Sequence, residues 1–409
     1  MIRTLAILTL SFLVSGAAVA ADPVPVKKGL VVHEWGVFRV SQDADFANAE
    51  MRAAWDELPE FAYGHIKGRV VPQHWGAAEF RRQPVIFFHA TEPTLLRAKI
   101  DFPGGMAGVW FPATESPAVY GNQKQPKIGG SLEWNLGIKQ CPSDWQPKKP
   151  APPVVADRHY VSRLRQVKSD EVFARYSPNR LDVEREKFIY YDGIFPQGKW
   201  LKIAVEKDRV SLASQVKHPV FDITVVDRRG EKVRVGRVAK LEPGETIKEV
   251  AFVEVEKSRF SSEAADTLVK QLVAAGLFED EAQSLADLWK KDMFETPGLN
   301  LFYRLPQEEY DARIPLTLTP KPESVVRVGL VYHGHLEPDF VGRILELVKQ
   351  LDAPKFGDRD AAMKKLLAIG PAALVQMQRH RDHKDLSVEA RERIDALVKK
   401  WSAKEAFDK

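Results

Sequence analysis

The sequence predicts a mainly β protein with α-helical parts: two β-sandwich-like units, an inserted helical hairpin and a small carboxy-terminal helical unit. Three observations predict this class. Short apolar runs punctuated by Pro and Gly fill most of residues 28–335. A helical period of three to four replaces them near 261–293 and again after Pro338. Four prolines within eight residues, at 146–153, divide the β-rich region in two.

Composition excludes several functional classes. Of 409 residues, 44% are hydrophobic and 28% charged, which is typical of a folded protein with two or three domains. Sixty Lys and Arg against 56 Asp and Glu leave a net charge of only +4, so we expect no nucleic-acid partner. The single cysteine, Cys141, excludes an internal disulfide framework and a multi-thiolate metal site.

The first residues have the pattern of an export signal. Arg3 is followed by an apolar run from Leu5 to Val14 and by the small-residue sequence Ala18-Val19-Ala20. This pattern predicts a secretory signal peptide over 1–21. A retained membrane anchor is the less favoured alternative, because the apolar run is shorter than the roughly 20 residues that span a membrane. We therefore expect an extracytoplasmic protein, periplasmic or secreted, with no integral membrane segment after signal removal.

The first β-rich domain is predicted over 28–145. Its strands are predicted at 29–38, 84–88, 96–102, 108–112 and 132–138. A segment of helical composition, 43–63, lies between the first two strands. The Pro-rich stretch that follows this domain predicts an extended linker over 146–157.

The second β-rich domain is predicted over 158–335. Its strands are predicted at 187–191, 201–205, 221–225, 232–235, 247–255, 299–303 and 325–332. Two apolar stripes separated by Gly276 predict a helical insertion about 261–293. Four short amphipathic helices are predicted over 338–402.

Four segments together resemble a family of uncharacterised exported proteins from planctomycete bacteria: His33-Glu34-Trp35-Gly36-x-Phe38, 84–88, 187–191 and 315–320. The resemblance covers most of residues 30–335 and implies an architecture and a compartment, but no mechanism. The family usually has threonine where this chain has Val37 and Arg39, and Glu-Thr where it has Arg82-Gln83. A site built from those polar positions would be missing here.

The carboxy-terminal segment resembles a second known element. Its Leu351-Asp352, the run 366–374 and Ser387-x-Glu389-Ala390-Arg391 are similar to a degenerate HEAT-like helical repeat. The resemblance implies stacked helical hairpins with a protein-contact face.

His33 and Glu34 are the first candidates for acid–base chemistry, because a neighbouring imidazole and carboxylate supply two titratable groups. Strand alternation places His33 on one face with Trp35 and Val37, and Glu34 on the other. We therefore expect His33 to be a hydrogen-bonded core residue, unless a bulge at Gly36 changes the alternation.

The remaining titratable groups give weaker signals. His333 and His335 share one side of a strand, but zinc would need a third ligand such as Glu337, Asp339 or His33, so a surface turn is the preferred interpretation. The sequence has no nucleophile elbow, phosphate-binding loop or dinucleotide fingerprint. We predict no metal site and no cofactor.

Tryptophan is concentrated in the first β region, which holds six of the nine. Such rings fill a core or form a platform for sugars or a partner protein. The predicted binding residues are His33, Glu34, Trp35, Trp110 and Trp134.

The leading hypothesis is a non-catalytic binding or scaffold protein of the cell envelope or extracellular space, with a glycan or protein ligand. The alternatives are a hydrolase that acts on an extracellular polymer with His33 and Glu34, and a purely structural envelope component. Catalytic residues and oligomeric state are not predicted.

Overall fold

The computed structural model describes residues 26–41, 61–64, 74, 78–114, 128–149, 160–175, 183–381 and 386–402. The predicted mainly β class with α-helical parts is confirmed. The predicted signal peptide, and most of the predicted helix at 43–63 and of the linker at 146–157, lie outside the described residues.

Most strands lie close to the predicted apolar runs, but the strands over 171–175, 183–186, 209–214 and 316–319 were not predicted. The strands are β1 Val26–Ser41, β2 Ala78–Ala90, β3 Thr94–Asp101, β4 Met106–Phe111, β5 Ser131–Lys139, β6 Glu171–Arg175, β7 Val183–Glu186, β8 Phe188–Pro196, β9 Leu201–Glu206, β10 Arg209–Ser214, β11 Val220–Asp227, β12 Val233–Leu241, β13 Thr246–Ile247, β14 Phe252–Val255, β15 Leu299–Leu305, β16 Leu316–Thr319 and β17 Lys321–His333.

Most helices follow the predicted change of period, but the helices over 160–166 and 307–313 were not predicted. The helices are α1 Tyr160–Gln166, α2 Lys257–Ala274, α3 Glu279–Lys290, α4 Gln307–Arg313, α5 Phe340–Gln350, α6 Phe356–Ile369, α7 Leu374–His380 and α8 Val388–Ser402. A π-helical turn, Lys291–Glu295, continues α3. The predicted helical insertion is therefore the α2–α3 hairpin. Among the described residues, none of these helices is both long and apolar enough to cross a bilayer.

A nine-stranded sheet forms the centre of the molecule, in the order β14-β12-β11-β15-β17-β1-β2-β8-β4. β1 and β17 are parallel and the other neighbours are antiparallel. A five-stranded sheet, β16-β3-β5-β6-β7, and a three-stranded sheet, β13-β10-β9, complete the β structure.

The division into two separate β-rich domains, 28–145 and 158–335, is corrected by this topology. β1 and β2 come from the first predicted domain, yet they pair with β17 and β8 from the second. The five-stranded sheet mixes the two regions in the same way. Local alternation predicts where strands lie but not which distant strand each one pairs with, so sequence punctuation alone suggested a boundary.

Two apolar cores lie on opposite faces of the nine-stranded sheet. On one face, Trp35 and Val37 of β1 pack with the α2–α3 hairpin through residues such as Leu285 and Trp289. On the other, Val32 and Phe38 of β1 pack with residues of the smaller sheets. Because β1 is covered on both faces, its residues 32–38 are all buried, whichever face they lie on.

The carboxy-terminal helices α5–α8 enclose a core of their own. The start of α5 is fastened to the end of the β structure by a 2.6 Å ion pair between Arg343 and Glu337 and by stacking of Phe340 on His335, with ring centroids 4.2 Å apart. Helical structure over the predicted 338–402 region is present, and its likeness to a HEAT-like repeat stays a prediction.

Candidate functional site

His33 and Glu34 lie on opposite faces of the central sheet, as the alternation predicts. Between the pairs Trp35–Val85 and Val37–Arg82, β2 advances by one residue more than β1. The bulge is therefore in β2, and β1 keeps its alternation through Gly36. The hypothesis of a hydrolase that uses His33 and Glu34 as one acid–base pair is corrected, because the sheet separates the two groups.

Glu34 belongs to a buried polar network between the sheets. Its Oε1 accepts hydrogen bonds from the hydroxyls of Tyr191 and of Tyr310, the latter at 2.6 Å, and its Oε2 accepts one from Arg327 Nε at 2.7 Å. Burial opposes the charge of Arg327, but attraction to Glu34 outweighs it and raises the pKa of the guanidinium. Both carboxylate oxygens of Glu34 accept hydrogen bonds from buried residues of the fold, so we assign Glu34 a structural role.

His33 belongs to a cluster with His89 and Glu281 on the helical side of the sheet. His33 Nδ1 donates to Glu281 Oε2 over 2.7 Å, and His89 Nε2 donates to Glu281 Oε1 over 3.1 Å. His33 pairs with Phe87, and Val31 pairs with His89, so the two histidines are diagonal neighbours on one face of β1 and β2.

The start of α3 places Glu281 over these histidines. The carboxylate reaches back to the Phe278 backbone N–H, which donates to Oε2 over 3.0 Å, in the arrangement of a helix capping box. Asp280 Oδ2 accepts from the Lys168 N–H over 2.7 Å and fixes the same turn to a neighbouring loop. The ring of Phe278 covers both imidazoles, with centroids 4.5 Å from His33 and 4.7 Å from His89.

The cluster is almost fully enclosed. Side-chain exposure is 2% for His33, 0% for Glu281 and 16% for His89, so solvent reaches the cluster on the His89 side. Burial by itself would raise the pKa of Glu281, but the hydrogen bonds and attraction of His33 and His89 outweigh it and hold the pKa below its ordinary value. The carboxylate is therefore ionised between two imidazoles.

Three potential metal ligands meet at this point. One nitrogen each from His33 and His89 and a carboxylate oxygen of Glu281 all lie within 4.8 Å of one another. Ligand atoms of a tetrahedral zinc site are about 3.3 Å apart, and two imidazoles with one carboxylate are a common ligand set for zinc and iron. Among the described residues, this is the one group of three or more such side chains.

Sequence reasoning missed His89 and Glu281. His89 continues the alternation of Val85 and Phe87 in β2, and Glu281 occupies the third position of α3, where a capping glutamate is favoured. Each signal has an ordinary structural meaning. Only the docking of α3 on β1 and β2 shows that the three side chains converge.

The prediction of an aromatic binding platform is wrong for the three tryptophans named. Trp35, Trp110 and Trp134 are 0%, 6% and 1% exposed. Trp134 also donates its indole N–H to Pro112 O over 2.9 Å, which satisfies its polar atom inside the core. Their large rings fill the space between layers and offer no surface for a glycan or partner.

His333 and His335 are buried, which corrects the preferred interpretation of a surface turn. Desolvation lowers the pKa of His333 to about 4 and that of His335 to about 3. Their rings stack on Tyr303 and Phe340, and Glu337 instead pairs with Arg343 and accepts from the Leu299 N–H over 2.9 Å. Both histidines are therefore neutral packing groups: His333 packs within the β structure, and His335 joins it to α5.

Comparison with known proteins adds no further identification. No protein-family model matches this chain, and no curated protein matches it significantly.

Proposed function

We propose that this chain is an exported, non-catalytic binding protein whose ligand is a divalent transition metal, held by His33, His89 and Glu281. The observation that carries the proposal is the convergence of these three ligand atoms from β1, β2 and α3. Export rests on the amino-terminal sequence pattern, and metal binding rests on the geometry of the cluster.

The surroundings of the cluster support this assignment. A metal would replace the protons that His33 Nδ1 and His89 Nε2 now share with Glu281, so the ligand orientation needs little rearrangement. The Phe278 N–H would continue to hold the carboxylate, as hydrogen-bonded neighbours of metal ligands do. Zinc fits the donor set best, since imidazole and carboxylate are both among its usual ligands.

Burial favours a binding role over catalysis. His33 and Glu281 are shielded by the sheet and by α3, and the ring of Phe278 lies over both imidazoles. A metal held here would join the helical hairpin to the central sheet. The carboxy-terminal helices would then present a separate face for an envelope partner, in keeping with their resemblance to HEAT-like repeats.

A metal-dependent hydrolase is the second candidate, and one observation favours it. Three protein ligands leave a fourth position, which catalytic zinc sites fill with water. In that case His33 is a ligand and not the general base, and Glu34 takes no part. Hydrolysis of a peptide, ester or glycoside panel by the zinc-loaded protein, lost in Glu281→Gln, would favour this candidate.

Direct metal binding tests the proposal. The mature chain, stripped with a chelator, should bind one equivalent of Zn²⁺ by calorimetry and retain it through desalting. His89→Gln and Glu281→Gln should each weaken binding by at least about tenfold, because removal of one of three ligands leaves an incomplete site.

The chain offers a matched control. His218 and Glu309 form a histidine–carboxylate pair at the same 3.1 Å separation as His89 and Glu281, but His218 is 42% exposed. His218→Gln should leave binding unchanged. Absence of stoichiometric zinc, or equal effects of His218→Gln and His89→Gln, would refute the site.

A further inference from the structure

A second site, away from the histidine cluster, surrounds a lysine ammonium with aromatic rings. Lys149 Nζ lies 5.8 Å from the ring centroid of Phe61, 5.7 Å from that of Tyr63 and 5.4 Å from that of Phe111. All three distances are within the range in which a ring attracts a cation electrostatically. The ammonium also forms a 2.7 Å ion pair with Glu184 Oε1.

The backbone holds this aromatic cage in shape. Tyr63 pairs with Trp110 through two hydrogen bonds of 2.8 and 3.1 Å, which places it beside Phe111 at the end of β4. Phe61 lies two residues before Tyr63, and its ring packs on Phe111 with centroids 4.8 Å apart. The sheet therefore positions Tyr63 and Phe111, and Phe61 is held against Phe111 by ring packing.

The carboxylate of Glu184 is held in place by hydrogen bonds that do not involve Lys149. Glu184 Oε1 accepts from the Tyr63 hydroxyl over 2.6 Å, and its Oε2 accepts from the Ala113 N–H over 2.7 Å. Glu184 is 8% exposed, so its charge acts in a partly desolvated setting. A preorganised carboxylate beside three rings is the chemistry that recognises an alkylammonium ion.

Lys149 enters this cage from its edge. Its side chain is 35% exposed, whereas Glu184 is 10% exposed at the side chain. Phe61 and Phe111 also line a small cavity together with Tyr160, Phe188 and Tyr190, with room for about one water molecule.

We propose that Phe61, Tyr63, Phe111 and Glu184 form a binding site for an alkylammonium head group, and that Lys149 is its intramolecular occupant, which a free alkylammonium ion displaces. The site is distinct from the proposed metal site, since it shares no residue with it. Lys149 shows the chemistry of the ligand, because its ammonium has the same contacts that a small amine would make.

Chemical rescue tests the proposal in the full chain. Lys149→Ala empties the cage, and its thermal unfolding midpoint should rise with added methylammonium or tetramethylammonium chloride, because a ligand that binds only the native state stabilises it. Equal concentrations of sodium chloride control for ionic strength, and tert-butanol controls for a neutral group of similar shape. The wild type should need at least about ten times more of the ammonium salt for the same rise in midpoint, since the tethered Lys149 competes at a high effective concentration.

A second substitution assigns the effect to the cage. Lys149→Ala combined with Glu184→Gln should lose the rescue by methylammonium. Three results would overturn the proposal: tert-butanol raises the midpoint of Lys149→Ala as much as methylammonium does, the wild type responds as strongly as Lys149→Ala, or Glu184→Gln leaves the rescue unchanged. A folded Lys149→Ala variant whose midpoint does not rise with methylammonium would also overturn it.

A measurement on the wild-type chain decides the matter if Lys149→Ala does not fold. Reductive methylation with ¹³C-formaldehyde converts lysines to dimethylammonium groups, and Lys149→Arg assigns the Lys149 signal. Enclosure by three rings should shift that methyl resonance upfield of the other lysines, and tetramethylammonium should return it toward them. A Lys149 resonance at the position of solvent-exposed lysines, or one that tetramethylammonium does not move, would overturn the proposal.

Discussion

Replacement of Glu34 by Gln should destabilise the protein strongly, although the substitution barely changes the size of the side chain. Glu34 and Arg327 are 0% and 1% exposed at their side chains and form a 2.7 Å ion pair. The amide would leave the guanidinium charge of Arg327 buried, with the half-exposed Asp311 as its remaining anionic partner. Removal of one member of a buried ion pair costs about 3–5 kcal/mol.

The expected loss of stability can be checked as a shift in the unfolding midpoint and by comparing the single variants with the double variant. About 3–5 kcal/mol corresponds to a decrease of roughly 6–20 °C in the unfolding midpoint, at about 2–4 °C per kcal/mol for a domain of this class. Arg327→Met should cost a similar amount, because it leaves the Glu34 carboxylate buried. The double variant should cost less than the sum of the two single variants, since it buries no unpaired charge.

Urea unfolding, monitored by tryptophan fluorescence, measures the free energy of unfolding of all three variants. The exposed pair of Lys27 and Glu92, at the similar distance of 2.6 Å, provides the control. Glu92→Gln should leave the midpoint near that of the wild type, because solvent screens such pairs. If Glu34→Gln unfolds at the same urea concentration as Glu92→Gln, the argument that Glu34 is a structural member of a buried network is refuted.

Three further outcomes follow from burial. His333 has a folded-state pKa of about 4, below its ordinary 6.5, so the unfolded chain takes up the proton first and stability is lost as pH falls from 6.5 to 4. His333→Phe should remove about 2 kcal/mol of the loss measured by urea titrations between pH 7 and 4.5. Glu79 has the opposite sign: its folded-state pKa is about 7, raised by burial from 4.5, so its contribution to stability is lost as pH rises from 4.5 through 7. Glu79→Gln should make the stability less dependent on pH in that range. Leu285→Ala should cost about 2–5 kcal/mol by urea unfolding because it opens a cavity in the hairpin core, whereas Leu95→Ala, at an 81% exposed position, should cost almost nothing.

Local patterns in the sequence determined much of the secondary structure. The alternation through His33 and Glu34 predicted their opposite faces, and the structure confirms it. The apolar stripes on both sides of Gly276 likewise predicted the α2–α3 hairpin. Such patterns are readable because a strand repeats every two residues and a helix every 3.6, so neighbours in sequence share a face.

The exposure of the tryptophans could not be predicted from the local sequence. A tryptophan on a strand has the same sequence pattern whether a second layer covers it or solvent does. Trp35 is covered by the helical hairpin and Trp134 by the packing of the smaller sheet, so neither forms a surface. Exposure depends on which elements stack, and that is a property of the whole fold.

By itself, the sequence determined the mainly β class, the inserted hairpin, the carboxy-terminal helices and the separation of His33 from Glu34. Only the tertiary structure decided that the two β-rich regions share one sheet, and that His33 meets His89 and Glu281. The physical reason is distance along the chain: Glu281 is 248 residues from His33, and the contact exists only after β1, β2 and α3 have packed together. Short-range periodicity in the sequence does not predict contacts between residues so far apart in the chain.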